Sequence, residues 1–176
     1  MAERVRERVR EGEPGYDPDY EHMIKYFQGE RDRSMVGPIV VRGEELQWVQ
    51  NRQARVKHYL KPLEFMVNPV LSTPIKDFHV FVQDIRTQSG KHRHQGGLVI
   101  FILEGEGYTV VEGERLDWKA GDLIMLPFKP GGVEHQHFNR HPDKSAKWIA
   151  FINLPLWEWA CSEVIQLEVS PDFASD

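Results

Sequence analysis

Residues 90–107 read GKHRHQGGLVIFILEGEG, and residues 121–139 read GDLIMLPFKPGGVEHQHFN. Each stretch holds an H-x-H pair beside an apolar run and glycine turns. In an extended chain, residues i and i+2 point to the same side. His92 with His94, and His135 with His137, can therefore each aim two imidazoles into one interior. A metal site needs that convergence, because imidazole nitrogens ligate at about 2.0–2.1 Å, and it needs rigid strands to hold the rings in place. One such pair is a weak signal. Two pairs, each next to a predicted strand, make a candidate metal centre.

Outward from these pairs, the chain from residue 36 onward consists of short β-rich runs separated by Gly, Pro, Asn and Asp. Strands are predicted over 37–41, 56–60, 78–85, 98–103, 108–111, 114–118, 123–126, 148–153 and 164–169, with a hairpin turn at 111–114. Regular short strands with turn signals between them indicate an all-β sandwich or barrel. No long amphipathic helix interrupts them, which argues against a parallel α/β sheet. The prolines at 62, 69 and 74 make 61–76 a loop. The aromatic segment LPLWEWA, 154–160, reads as packing or as the lining of a barrel mouth. Residues 1–35 are polar and broken by Gly12, Pro14, Gly15 and Pro18. They are read as an N-terminal arm with short helices at 3–11 and 20–28, preceding one domain over 36–176.

Composition narrows the function classes. The 176 residues carry a formal net charge of −5, which argues against general nucleic-acid binding. The one dense basic stretch, MAERVRERVR, alternates arginine with glutamate and reads as a solvated helix face. A single cysteine, Cys161, excludes an intramolecular disulfide framework and suits a reducing cytoplasm. The absence of a long apolar run leads to the expectation of a soluble protein with no membrane partner. Of the other histidines, His22 and His141 are read as exposed. His58 and His79 are strand residues whose direction the sequence leaves open.

The two quoted stretches resemble the paired motifs of the cupin family. The first resembles H-x-H followed by a glycine-bounded strand; the second resembles G-x5-P, then glycine, then histidine with asparagine four residues on. The resemblance covers about residues 78–153 and implies a double-stranded β-helix, a jelly-roll-like barrel. It implies His92, His94 and His135 as metal ligands, with His135 chosen because Asn139 lies four residues after it. His137 is then a pocket residue or, in a shifted register, the ligand.

Two departures stand out: the loop 128–132 is longer than the basic pattern, and Leu98 occupies the place of the motif glutamate. A three-imidazole set without a carboxylate leaves a divalent ion at full charge with open positions, which suits a chelating oxygen substrate plus dioxygen. His92-Arg93-His94 with His135-Gln136-His137 is similar to the gentisate and salicylate ring-cleaving dioxygenases. The resemblance therefore implies a non-heme Fe(II) dioxygenase acting on a hydroxylated aromatic acid or diketone-like substrate. Mn, Zn, Ni or Cu are also compatible with imidazole ligands.

His137 is the candidate general acid or base. Arg86 and Gln95 are the candidate substrate-binding residues, and Gln95 and Gln136 are candidates for orienting the ligands. Arg93 alternates with the ligands and is expected to point away from the ion. Other readings are a non-oxidative metal-dependent lyase, hydrolase or isomerase, and a non-catalytic cupin that binds a small ligand. By the same resemblance the expected assembly is a homodimer.

Overall fold

The computed structural model of the chain describes residues 11–35, 37–61 and 74–173. The expected helix over 3–11, apart from its last residue, and most of the expected loop 61–76 lie outside them. The chain divides into two compact units, one made of 1–39 with 70–74 and the other of 40–69 with 75–176. Within the first unit, α1 (Pro18–Arg33) begins at Asp17, whose carboxylate accepts from the backbone N–H groups of Asp19 and Tyr20, both at 3.1 Å. Pro18 occupies the first turn, where its missing N–H costs nothing. Asp19 and Glu21 add negative charge where the helix dipole favours it.

Among its described residues the second unit is all-β apart from one short helix. In chain order its strands are β1 (Val49–Gln50), β2 (Arg55–Leu60), β3 (Phe78–Ile85), β4 (Lys91–His94), β5 (Leu98–Glu104) and β6 (Glu106–Val111). They continue with β7 (Glu114–Lys119), β8 (Leu123–Leu126), β9 (Val133–Asn139) and β10 (Ala146–Asn153), then α2 (Leu154–Trp159) and β11 (Ile165–Glu168). A six-stranded sheet runs β1-β2-β3-β10-β5-β8 and a five-stranded sheet runs β11-β4-β9-β6-β7. Every pairing between named strands is antiparallel, which gives the expected jelly-roll architecture.

Period-two alternation explains the core. On β5, Leu98, Ile100 and Ile102 are buried while Val99, Phe101 and Leu103 are exposed. On β10 the inward residues are Ala146, Trp148 and Ala150, and the two alanines leave room beside the indole. Val56, Phe81, Ile85, Trp118 and Leu126 complete the packing between the sheets. The β6–β7 turn has Glu112 at φ 51° and Gly113 at φ 85°, the double positive φ of a type I′ hairpin.

Predicted strands 78–85 and 123–126 match β3 and β8, whereas residues 37–41 form bends and coil. There Gly37 adopts φ 97° and Pro38 has no N–H to give a ladder. The two histidine segments, read only as extended chain, are the strands β4 and β9.

The β4–β5 connection depends on Gly96. Its φ is +97°, and a Cβ there would lie 1.8 Å from the Pro127 carbonyl oxygen. Gly96→Ala should cost at least about 1–2 kcal/mol from backbone strain alone, with the collision adding to it. Urea unfolding should show that loss, and a Gly121→Ala variant, with φ +93° and open space, should lose less.

Candidate metal centre and cavity

Strands β4 and β9 pair so that His92 faces His135 and His94 faces Val133. Alternation turns His92 and His94 to one side of β4, and His135 and His137 to the same side of β9. All four are buried. His92 and His135 ring centroids are 4.2 Å apart, His94 and His135 4.7 Å, and His92 and His94 5.5 Å. One ring nitrogen from each of His92, His94 and His135 lies within 4.8 Å of the others, so these three could hold one metal ion.

The donor chemistry fits an ion. Burial holds His92 at about 4 and His94 at about 3, and pushes His135 well below the ordinary 6.5, so all three rings are neutral with a lone pair available. His92 Nδ1 lies 3.3 Å from the Gly90 carbonyl and His135 Nδ1 3.0 Å from that of Val133. Those contacts place the proton on Nδ1 and leave Nε2 for an ion. His135 Nε2 is buried and has no hydrogen-bond partner. His94 differs: its Nδ1 accepts from the Gly96 N–H at 3.2 Å, a contact that would yield if an ion took Nε2.

His137 stands beside the cluster without belonging to it. Its Nδ1 is 2.8 Å from Thr109 Oγ1, which accepts from Trp118 Nε1–H at 2.9 Å. Thr109 Oγ1 thereby ties the His137 ring to Trp118 and fixes its orientation. His137 Nε2 is buried and unpartnered, and burial lowers the ring to about 3. The residue read from the sequence as a general acid or base is thus a buried neutral imidazole beside the three candidate ligands.

The histidines line a cavity of about 610 Å³. Leu98, Trp148 and Ile152 supply apolar wall, and Trp157 of α2 packs on His94 with ring centroids 5.0 Å apart. The aromatic segment 154–160 therefore contributes both lining and, at Trp159, an exposed ring. Among the described residues no carboxylate lines the cavity, and Leu98 is part of its wall.

His58 of β2 and His79 of β3 also line it, a direction the sequence had left open. Each shares the parity of a core residue, Val56 and Phe81 respectively. Burial, the larger cause, and nearby Lys61 bring His58 to about 4; burial, His58 and Lys61 bring His79 to about 3.

Arg86 and Gln95 are outside the lining. Arg86 follows β3 and is exposed, and its carbonyl accepts from Asn139 Nδ2 at 2.7 Å. Gln95 has the opposite parity to His92 and His94, and its Oε1 accepts from the Glu163 N–H at 2.8 Å. Gln136 donates to the Ser89 carbonyl at 2.8 Å and touches no ligand nitrogen. Arg93 is likewise absent from the lining, as its alternation with the ligands requires. Asn139 Nδ2 lies within hydrogen-bonding distance of the carbonyls of Arg86, His141 and Lys144, which makes it a clamp for the loop after β9.

Comparison with known proteins agrees with this architecture. Residues 79–152 match the cupin domain family. Over 66 residues, 37% of this chain and 18% of the relative, the sequence is 39% identical to gentisate 1,2-dioxygenase of a Ralstonia species. Over 90 residues, 48% of this chain and 50% of the relative, it is 27% identical to acireductone dioxygenase of Phaeosphaeria nodorum. The matches thus span half or less of these curated relatives. A crystal structure of salicylate 1,2-dioxygenase from Pseudoaminobacter salicylatoxidans, in complex with gentisate, superposes with a TM-score of 0.54 at 19% identity, covering 97% of this chain and 53% of that one. No helix among the described residues is long and apolar enough to cross a membrane.

Two outcomes are expected. Thr109→Val removes the hydroxyl and leaves the Trp118 N–H and His137 Nδ1 unpaired, which should cost about 1–3 kcal/mol in urea unfolding. Acid should also act through His58 and His79. Their folded values lie below 6.5, so the unfolded chain binds more protons as pH drops through 6.5 toward about 4 and 3, and stability falls in that window. Unfolding measured from pH 7 to 4.5 should fall less steeply in a His58→Gln/His79→Leu double variant than in the wild type.

Proposed function

We propose that this cupin domain is a metal-dependent oxygenase, holding Fe(II) through His92, His94 and His135 and cleaving a hydroxylated aromatic acid or a diketone-like substrate. The observation that carries the reading is the donor set itself: three buried neutral imidazoles on two paired strands, facing a cavity lined by no carboxylate among the described residues. The gentisate and acireductone dioxygenase relatives support the same class. A bound divalent ion would supply Lewis acidity and a template where a chelating substrate and dioxygen meet.

The chain's own residues do the rest. Leu98, Trp148, Ile152 and Trp157 enclose the substrate's apolar part and exclude water. His137, held by Thr109, serves as general acid or base beside a substrate oxygen. Arg52 is the one lysine or arginine among the described lining residues and is the side chain suited to an anionic substrate group. Gln53, Gln83 and Gln166, rather than Gln95, supply the neutral polar lining.

Two further assignments belong to this reading. The free, exposed Cys161 suits a reducing cytoplasm. Homodimer formation has support in the outer face of the six-stranded sheet, where Val99 pairs with Met125 and Phe101 with Leu123, all four exposed.

The test is metal analysis of protein purified without added metal, together with oxygen-electrode measurements on hydroxybenzoates and diketones. The expected result is one iron per chain and substrate-dependent oxygen uptake, both lost in His92→Ala. Zinc or nickel bound through the same histidines, with no oxygen uptake by the iron-reconstituted protein, would replace the oxygenase with non-oxidative chemistry.

A further inference from the structure

Trp118 and Trp148 are both buried in the core, and they differ at the indole nitrogen. Trp118 Nε1–H donates to Thr109 Oγ1 at 2.9 Å. Trp148 Nε1 is also buried but has no hydrogen-bond partner among the described residues. The Trp148 side chain is 2% exposed and lines the cavity. An indole nitrogen is a donor only, with no tautomer to choose. This N–H therefore offers one hydrogen bond, and leaving it unmade in a buried place is unfavourable.

Its neighbours define what it can bind. Trp148 on β10 is opposite Gln83 on β3, and residues so paired have Cβ atoms about 4.5–5.5 Å apart on one face. Gln83 is 2% exposed and lines the same cavity. Its Nε2 lies 3.3 Å from Gln53 Oε1, and its Oε1 has no partner among the described residues. Whichever way the amide is turned, one end is committed to Gln53 and the other is free. The Trp148 ring packs on His137 with centroids 4.9 Å apart, and His137 packs on His135 at 5.5 Å. One imidazole thus separates the indole from the three-histidine cluster. Phe81 stands edge-on to Trp148 at 6.0 Å, and none of these neighbours carries a charge.

We infer that Trp148 and Gln83 determine specificity by holding a hydroxyl group of the ligand that does not touch the ion. The hydroxyl oxygen accepts from Trp148 Nε1–H. The hydroxyl proton goes to Gln83 Oε1; with the amide turned, the oxygen accepts from Gln83 Nε2 instead. A hydroxyl meets either arrangement, because it has one proton and two lone pairs. A carboxylate at this wall would be buried without a cation, which is costly. The inference rests on the chelating substrate proposed above and narrows it to an oxygen chelator with a further hydroxyl on its other edge.

The experiment uses zinc-loaded full-length protein and tropolone, a single-ring oxygen chelator. Derivatives carry either hydroxyl or methyl at a ring carbon too remote to join the chelate, and calorimetry at pH 7 gives their affinities. For the wild type, at one such carbon the hydroxyl compound should bind about tenfold tighter than its methyl counterpart, since a site built to bond a hydroxyl rejects the analogue lacking it. Trp148→Phe keeps an aromatic ring without the N–H and should reduce that ratio to about twofold or less. Gln83→Met keeps the length without the amide and should also reduce it.

Unchanged zinc stoichiometry and circular dichroism confirm that the variants are folded; if Trp148→Phe is not, Gln83→Met decides. An undiminished hydroxyl preference in the folded variants overturns the inference. Wild-type protein that binds tropolone with no hydroxyl preference at any position overturns it too, and leaves the chelating substrate standing. A zinc protein that binds no tropolone overturns both. Zinc does no oxygen chemistry, so a hydroxyl preference here with no oxygen uptake in the iron protein refutes the oxygenase alone.

Discussion

The candidate site depends on one register: β4 lies antiparallel to β9 with His92 opposite His135. A slip of one residue would turn the slipped strand's pair of inward histidines to the other face of the sheet. Several devices fix that register from outside the cavity. Gly96 fits its turn beneath the Pro127 carbonyl, and Glu112 in the β6–β7 turn accepts from the Glu134 N–H at 2.7 Å while pairing with Lys129. Lys91 bridges to Glu134 at 2.6 Å across the same two strands. Being half-exposed, these ion pairs add little stability each. Their value lies in excluding alternative pairings.

The cavity walls divide the chemistry between two sheets. The five-stranded sheet contributes three imidazoles whose carbonyl or amide contacts orient the rings, and a fourth tied to Thr109 and Trp118. The six-stranded sheet contributes apolar surface and the His58–His79 pair. Burial keeps every one of these rings neutral. What separates their roles is the partner of each second nitrogen: a carbonyl for His92 and His135, a hydroxyl for His137, another imidazole for His58.

Most of the architecture was legible because β3, β5, β8 and β10 are rich in Val, Ile, Leu and Phe, the residues that suit a pleated half-buried surface. β4 and β9 were not assigned as strands, since Lys91-His92-Arg93-His94 and Glu134-His135-Gln136-His137 lack β-branched and aromatic residues; their neighbours in the ladder hold them extended. The H-x-H spacing still gave the correct faces. His58 and His79 were legible in principle through parity with Val56 and Phe81, but parity decides a direction only once it is known which face is covered. Arg86 and Gln95 could not be placed, because the direction of a loop side chain follows from tertiary contacts such as those of Asn139 and Glu163. Asn139 itself was used to choose His135, yet its side chain braces a loop.

β11 completes the sheet beside β4, with Gln166 opposite His92 and Ile165 opposite Arg93. The strand carrying two of the three candidate ligands is therefore flanked by residues from two distant parts of the chain, one of them near residue 168. During synthesis, the amino-terminal ligand pair emerges more than seventy residues before its last neighbour. Until that neighbour docks, β4 is a free sheet edge, and its imidazoles are held on one flank only. A rigid three-imidazole cage therefore has to wait for a segment made well after the ligands themselves.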